Sequence, residues 1–88
     1  MAQKTRPNKI LRWQLRTLVG EYEDKNPGER LSYERMEEET GLSKTLLNRI
    51  GKNEAKRADL KTVETILIYF SEKLGRNLTI NDILKFDL

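Results

Sequence analysis

Gly41 lies between two short segments in which apolar residues have helical spacing, and this arrangement restricts the fold more than any other feature. Each segment follows a serine, Ser32 or Ser43, a residue type that caps helix N-termini. Glycine ends a helix at low cost because it adopts a left-handed backbone easily. The sequence therefore predicts a helix over residues 33–40, a tight turn at Gly41 and a second helix over residues 44–50.

Three further helices are predicted from similar patterns. Apolar residues recur at helical spacing from Lys9 onward, with Asn8 as a candidate cap. Asp59 can cap the most regular helix, and Thr79 with Asp82 has capping-box spacing for a short last helix. The apolar residues of the regular helix are Leu60, Val63, Ile66, Leu67, Phe70 and Leu74. No stretch alternates apolar and polar residues for long enough to predict a sheet.

The predicted fold is an all-α, compact bundle of about five short helices that contains a helix-turn-helix. Residues 1–8 have no apolar pattern and are predicted to form a basic, flexible N-terminal arm, whereas residues 9–88 form a single domain. A domain of 88 residues is too small to be expected to enclose a large active-site cavity.

The sequence contains neither cysteine nor histidine, which excludes disulfides, thiolate nucleophiles, imidazole bases and Cys/His zinc sites. It also lacks a glycine-rich phosphate loop and a pair of acids at catalytic spacing. We therefore expect no enzymatic activity, catalytic residue, metal site, cofactor or small-molecule substrate. No apolar run is long enough to span a membrane or to form a signal peptide, so we expect a cytoplasmic protein without membrane contacts.

Basic and acidic residues are segregated along the chain. Residues 1–16 contain five basic residues and no acidic one, residues 17–42 contain eight acidic and three basic residues, and residues 43–61 contain six basic and two acidic residues. This pattern predicts a positive and a negative face, although ordinary surface patchiness explains it equally well.

The predicted helix-turn-helix has an apolar side and a polar side. Its apolar residues, Met36, Leu42, Leu47 and Ile50, are spaced to meet beneath the corner. The polar side of the second helix has the side chains that recognise bases in the major groove: Lys44, Thr45, Asn48 and Arg49. The residues predicted to contact phosphates are Ser43, Lys52, Asn53, Lys56 and Arg57. The alternative for this face is an ordinary solvated helix surface.

The segment LSYERMEEETGLSKTLLNRIGKNEAKRADLKTVETIL resembles the lambda-repressor-like helix-turn-helix family, in its Xre/Cro-type branch. The resemblance extends over roughly residues 10–85, and its tightest part is GLSKTLLNRI followed by KRADLKT. It implies a sequence-specific transcriptional regulator that binds double-stranded DNA, commonly as a homodimer, and it places Tyr33 near the DNA backbone. Two positions depart from the family pattern: Glu37 replaces a small residue, and Thr40 replaces an apolar one.

Two further hypotheses concern protein partners. The same scaffold could be a protein-interaction module, antitoxin-like or a phage-type adaptor, that uses the acidic face of the predicted helix over residues 33–40 as its contact surface. A homodimer is predicted to form through the apolar C-terminal residues Ile80, Ile83, Phe86 and Leu88.

Overall fold

The computed structural model describes residues 10–55 and 59–87 as a bundle of helices with one small sheet. The elements are β1 (Ile10–Trp13), α1 (Leu15–Lys25), α2 (Tyr33–Thr40), α3 (Lys44–Gly51), α4 (Leu60–Leu74), α5 (Ile80–Ile83) and β2 (Leu84–Asp87). The predicted helical bundle is therefore confirmed. The predicted arm at residues 1–8, the Asn8 cap, Lys56, Arg57 and Leu88 lie outside the described residues. None of the helices in the described ranges is long and apolar enough to cross a bilayer.

The turn between α2 and α3 forms as predicted. Gly41 has φ +83°, the left-handed conformation that favours glycine. The Ser32 hydroxyl accepts a hydrogen bond from the N–H of Arg35, and Ser43 caps α3 in the same way. Thr40 fits at the corner although it is polar, because its hydroxyl donates to the carbonyl of Met36 at 2.6 Å and accepts from a backbone N–H.

The core beneath this corner fixes the angle between α2 and α3. Met36, Leu47 and Ile50 are 0% exposed, and Leu42 packs against them while half-buried. Burial of each such side chain contributes about 1.5–3 kcal/mol. Glu37 is the other departure from the family pattern. It is exposed to solvent, so its carboxylate is not buried in the core.

Helix α4 is the longest helix described, and both its predicted N-terminal cap and its predicted end are confirmed. The Asp59 carboxylate accepts from the N–H of Thr62 at 2.9 Å, and Gly75 ends the helix with φ +68°. Ile66 and Phe70 are buried in the core. Leu60, however, is 82% exposed, although it shares the helical spacing of the buried residues. It is the first residue of α4.

The start of the chain corrects the predicted first helix. Residues Ile10–Trp13 form β1, which pairs antiparallel with β2, with Leu11 opposite Phe86. Helix α1 therefore begins at Leu15 rather than at Lys9. The partner strand lies at the other end of the chain, so tertiary pairing overrides the local helical spacing.

The C-terminal elements confirm one prediction and correct another. The N–H of Thr79 donates to the Asp82 carboxylate at 2.8 Å, which completes the predicted capping box of α5. Ile83 is only 1% exposed and belongs to the core, so it cannot form part of the predicted dimer surface. Ile80, in contrast, is half exposed.

Trp13 connects the sheet to the loop that follows α3. Its indole Nε1 donates to the carbonyl of Ala55 at 3.2 Å, and its backbone N–H donates to Oδ1 of Asn53 at 2.6 Å. The Asn53 amide also donates to the carbonyl of Trp13 at 3.3 Å. These bonds fix the first part of the loop against β1.

Glu39 joins α2 to α4 through a polar network. Its carboxylate accepts from the Tyr69 hydroxyl at 2.6 Å and lies 3.1 Å from Nζ of Lys73 and 3.3 Å from Nε of Arg35. The hydrogen bond from Tyr69, with those from Lys73 and Arg35, lowers the pKa of Glu39 to about 2. Burial and the same carboxylate raise the pKa of Tyr69 well above its ordinary value.

Gly51 is buried in the last turn of α3, directly against the ring of Tyr33. A Cβ atom at this position would overlap the Tyr33 hydroxyl and lie 3.1 Å from the ring carbon that carries it. Glycine is therefore required here for the close approach of α2 and α3, rather than for a positive φ angle.

We predict that Gly51→Ala destabilises the fold by about 1–2 kcal/mol, because the overpacking cost exceeds the gain in helix propensity. Adding Tyr33→Phe should restore much of the loss, since it removes the overlapping hydroxyl. Urea unfolding followed by circular dichroism measures both variants. Gly20→Ala is the control, because a Cβ at Gly20 meets nothing within 4 Å and should not destabilise α1. A Gly51→Ala protein as stable as the parent would contradict this packing.

We predict that Glu39→Gln lowers the free energy of unfolding by about 1 kcal/mol at pH 7, a value discounted because Glu39 is 37% exposed. The folded-state pKa lies below the ordinary value of 4.5, so this stabilisation is present above about pH 4.5 and is lost as the pH falls towards 2. Unfolding measured across that range should show a smaller acid loss in the variant. Glu38→Gln, the exposed neighbouring change, should behave like the parent.

Candidate nucleic-acid interface

Helix α3 has one buried and one exposed face. Leu47, Ile50 and Gly51 are buried, and Leu46 packs partly against the core. The opposite face carries the four residues predicted to contact bases, and all four are exposed: Lys44, Thr45, Asn48 and Arg49. The structure therefore places these side chains together on the surface, and no part of the acidic run at residues 37–39 is hydrogen-bonded to them in the described residues.

Lys44 has an acidic partner outside that run. Its Nζ atom lies 2.8 Å from Oε2 of Glu34, in the first turn of α2. The hydrogen bond between them raises the pKa of Lys44 and lowers the pKa of Glu34, and the charge of Glu37 adds to the effect on Lys44. Both side chains are ionised at neutral pH and more than half exposed.

A groove of about 860 Å³ runs beside α3, between α1, the loop before α2 and the first turn of α2. We call it the α3 groove. Among its lining residues are Tyr33 and Asn48, together with the cationic residues Arg16, Arg30, Lys44 and Lys52. The groove thus contains Lys44 and Asn48, two of the four residues predicted to contact bases.

Each acidic residue that lines the α3 groove has a hydrogen-bond or ion-pair partner within the protein. Glu23 accepts from the N–H of Leu31 at 2.9 Å, Glu29 pairs with Arg35 at 3.1 Å, and Glu34 pairs with Lys44. The side chains of Arg16, Arg30 and Lys52, in contrast, form no hydrogen bond or ion pair within residues 10–55 and 59–87. The groove therefore offers unpaired positive charge to an anion.

Tyr33 is half-buried, its hydroxyl lies against Gly51 in the last turn of α3, and the residue lines the α3 groove. Burial raises the pKa of its phenol, and the charge of Arg16 only partly opposes this shift. The hydroxyl therefore stays protonated at neutral pH and can donate a hydrogen bond.

The other residues predicted to contact phosphates have different surroundings. Ser43 and Lys52 are exposed at the two ends of α3. Asn53 has φ +59°, and both ends of its amide bond to the backbone of Trp13, so a phosphate contact from this amide would have to replace those bonds. The predictions for Lys56 and Arg57 fall outside the described residues.

The sequence patterns did not identify several residues of the α3 groove. Arg16 and Glu34 are among them: both line the groove, and no local pattern assigns either a contact. Both reach the groove through the packing of α1 and α2 around α3, which no local pattern reports. The only signal for Arg16 was its place in the basic N-terminal block.

A comparison with family models matches residues 29–87 to the Cro/C1-type helix-turn-helix DNA-binding domain. The match begins before α2 and continues into β2, so it contains the whole helix-turn-helix and most of the α3 groove. No curated protein and no solved structure gives a significant match. Because the family model spans more than half of the chain, the chain belongs to the Cro/C1-type helix-turn-helix DNA-binding domain family.

Proposed function

We propose that this protein is a sequence-specific transcriptional regulator that inserts α3 into the major groove of double-stranded DNA. The observation that carries the proposal is the exposure of Lys44, Thr45, Asn48 and Arg49 on one face of a helix whose opposite face is fully buried. An α-helix fits the width of the major groove, and an outward polar face is what it must present there.

Each exposed side chain has a suitable partner among the bases. Arg49 and Lys44 can donate to the O6 and N7 acceptors of guanine, and Asn48 can form two hydrogen bonds with adenine. Thr45 can form a hydrogen bond or contact the methyl group of thymine. This set is able to distinguish base pairs as well as to bind DNA.

The proposed phosphate contacts surround this face. Tyr33, Ser43 and Lys52 are the described members of the predicted set, and Arg16 joins them because it lines the same groove without a described partner. The further predicted contacts are Asn53, Lys56 and Arg57. Such contacts hold the protein in register on the duplex, whereas contacts with bases supply specificity.

A homodimer would extend this recognition to a two-fold symmetric site. It would place two copies of α3 about 34 Å apart on one face of the duplex. Of the residues first assigned to the dimer surface, Ile80 is the one that the structure describes as exposed. The protein would act in the cytoplasm, where it meets DNA.

The second candidate is a protein-interaction module, and the exposed carboxylates of Glu37 and Glu38 on α2 favour it. Neither side chain forms a hydrogen bond or ion pair with the described part of the chain. A basic partner could bind this surface whether or not α3 binds DNA.

A salt titration distinguishes the two candidates. We predict that binding to a random duplex weakens steeply as salt rises, with a slope of about −0.9 in log K against log salt for each phosphate neutralised. Fluorescence anisotropy of a labelled duplex measures the slope. Absence of binding at low salt would contradict the DNA-binding proposal and favour the interaction module.

Two substitutions test the assignment of individual residues. We predict that Arg49→Ala weakens binding to the selected site by about 1–3 kcal/mol and relaxes preference at one base pair. Lys52→Ala should weaken all sequences alike and reduce the magnitude of the salt slope by about one. Selection from a random DNA pool, followed by titration, measures both effects.

The control for these two variants is Lys25→Ala, which removes a positive charge at the last residue of α1, outside the α3 groove. It should change the affinity for either duplex much less. If Arg49→Ala and Lys52→Ala also bind like the parent, the placement of α3 in the groove is wrong.

A further inference from the structure

Glu34 places a carboxylate on the surface to which the proposed function brings DNA. It lines the α3 groove together with Lys44 and Asn48, and its Oε2 atom lies 2.8 Å from Nζ of Lys44. A negative charge at this position repels phosphates. Yet the same carboxylate accepts a hydrogen bond from Lys44, one of the four side chains that are proposed to face the duplex.

The ion pair is not required for the fold. Glu34 is 65% and Lys44 is 52% exposed, and exposed ion pairs contribute little to stability. The angle between α2 and α3 is already fixed by Met36, Leu47 and Ile50, which are fully buried. The ion pair therefore affects the contacts that this surface makes rather than the stability of the fold.

The pair affects contacts with phosphates and contacts with bases differently. To reach a phosphate, Lys44 must leave Glu34, and the freed carboxylate then faces the charged backbone without a partner. At a C·G base pair both members can be satisfied, because Glu34 can accept from the cytosine amino group while Lys44 donates to guanine. Binding to random DNA depends mainly on phosphate contacts. The freed Glu34 carboxylate therefore weakens binding to random DNA more than binding to the selected site.

We propose that Glu34 is a specificity-determining residue that withholds Lys44 from phosphates and thereby lowers the affinity for random DNA more than the affinity for the selected site. The inference rests on the proposed function, in which α3 enters the major groove. It assigns a role in recognition to an acidic residue whose charge repels the phosphate backbone.

The test compares the parent with Glu34→Gln on a selected duplex and on a random duplex of the same length, at several salt concentrations. We expect Glu34→Gln to bind the random duplex about three- to tenfold more tightly, with a salt slope larger in magnitude by about 0.9 as Lys44 gains a phosphate. Binding to the selected duplex should tighten less, so the ratio of the two affinities falls.

Glu72→Gln is the matched control, because it makes the same change of charge on α4. Glu72 is exposed and forms no hydrogen bond or ion pair with the described residues. It should leave the affinity ratio unchanged. Equal gains in Glu34→Gln and Glu72→Gln would show a long-range charge effect and overturn the proposal, and so would an unchanged ratio in Glu34→Gln.

A second background tests whether Lys44 mediates the effect. In Lys44→Ala protein, adding Glu34→Gln still removes the repulsion between the carboxylate and the phosphates, but it releases no lysine. The salt slope for the random duplex should therefore stay unchanged instead of growing in magnitude by about 0.9. The same increase in the salt slope in that background would overturn the role of the pair. A parent that binds neither duplex would overturn the proposed function itself, whereas a parent that binds, with no change of ratio in the variant, would overturn only the role of Glu34.

Discussion

The packing of Met36, Leu47 and Ile50 beneath Gly41 determines the orientation of α3, and the exposed face of that helix depends on it. A helix of eight residues is not stable alone in water, so α3 exists because its apolar face is buried. The same burial turns the polar face outward as one rigid surface. In the proposed function this rigidity matters, because the spacing of contacts with bases must match the spacing of base pairs.

Polar contacts then fix the elements around this corner. Glu39 bonds the end of α2 to Tyr69 and Lys73 on α4, so α2 is held by α4 as well as by α3. The bonds between Trp13 and Asn53 connect the sheet, and through it both ends of the described chain, to the residues that follow α3. Helix α3 is thus held at its C-terminal end by an element far from it in sequence.

Local signals predicted the parts of the fold that local physics controls. The caps at Ser32, Ser43 and Asp59 and the left-handed turn at Gly41 depend on nearby residues, and all four are confirmed. Strand β1 depends on a partner at the other end of the chain, and its apolar residues fit helical spacing equally well. The exposed face of α3 could be predicted from the spacing of its apolar residues. The α3 groove could not, because it depends on how α1 packs against α2 and α3.

The acidic residues of α2 show why charge counted along a sequence is a weak guide to a surface. Glu39 is directed at α4, where it stabilises the packing, and Glu37 is exposed. Glu34, three residues before the acidic run, is the one hydrogen-bonded to α3, through Lys44. Acidic residues on a helix beside DNA weaken binding to every sequence, because they repel the phosphates. If this weakening is larger for phosphate contacts than for contacts with bases, the same charges increase discrimination, and a net positive charge of only +3 is then compatible with specific recognition.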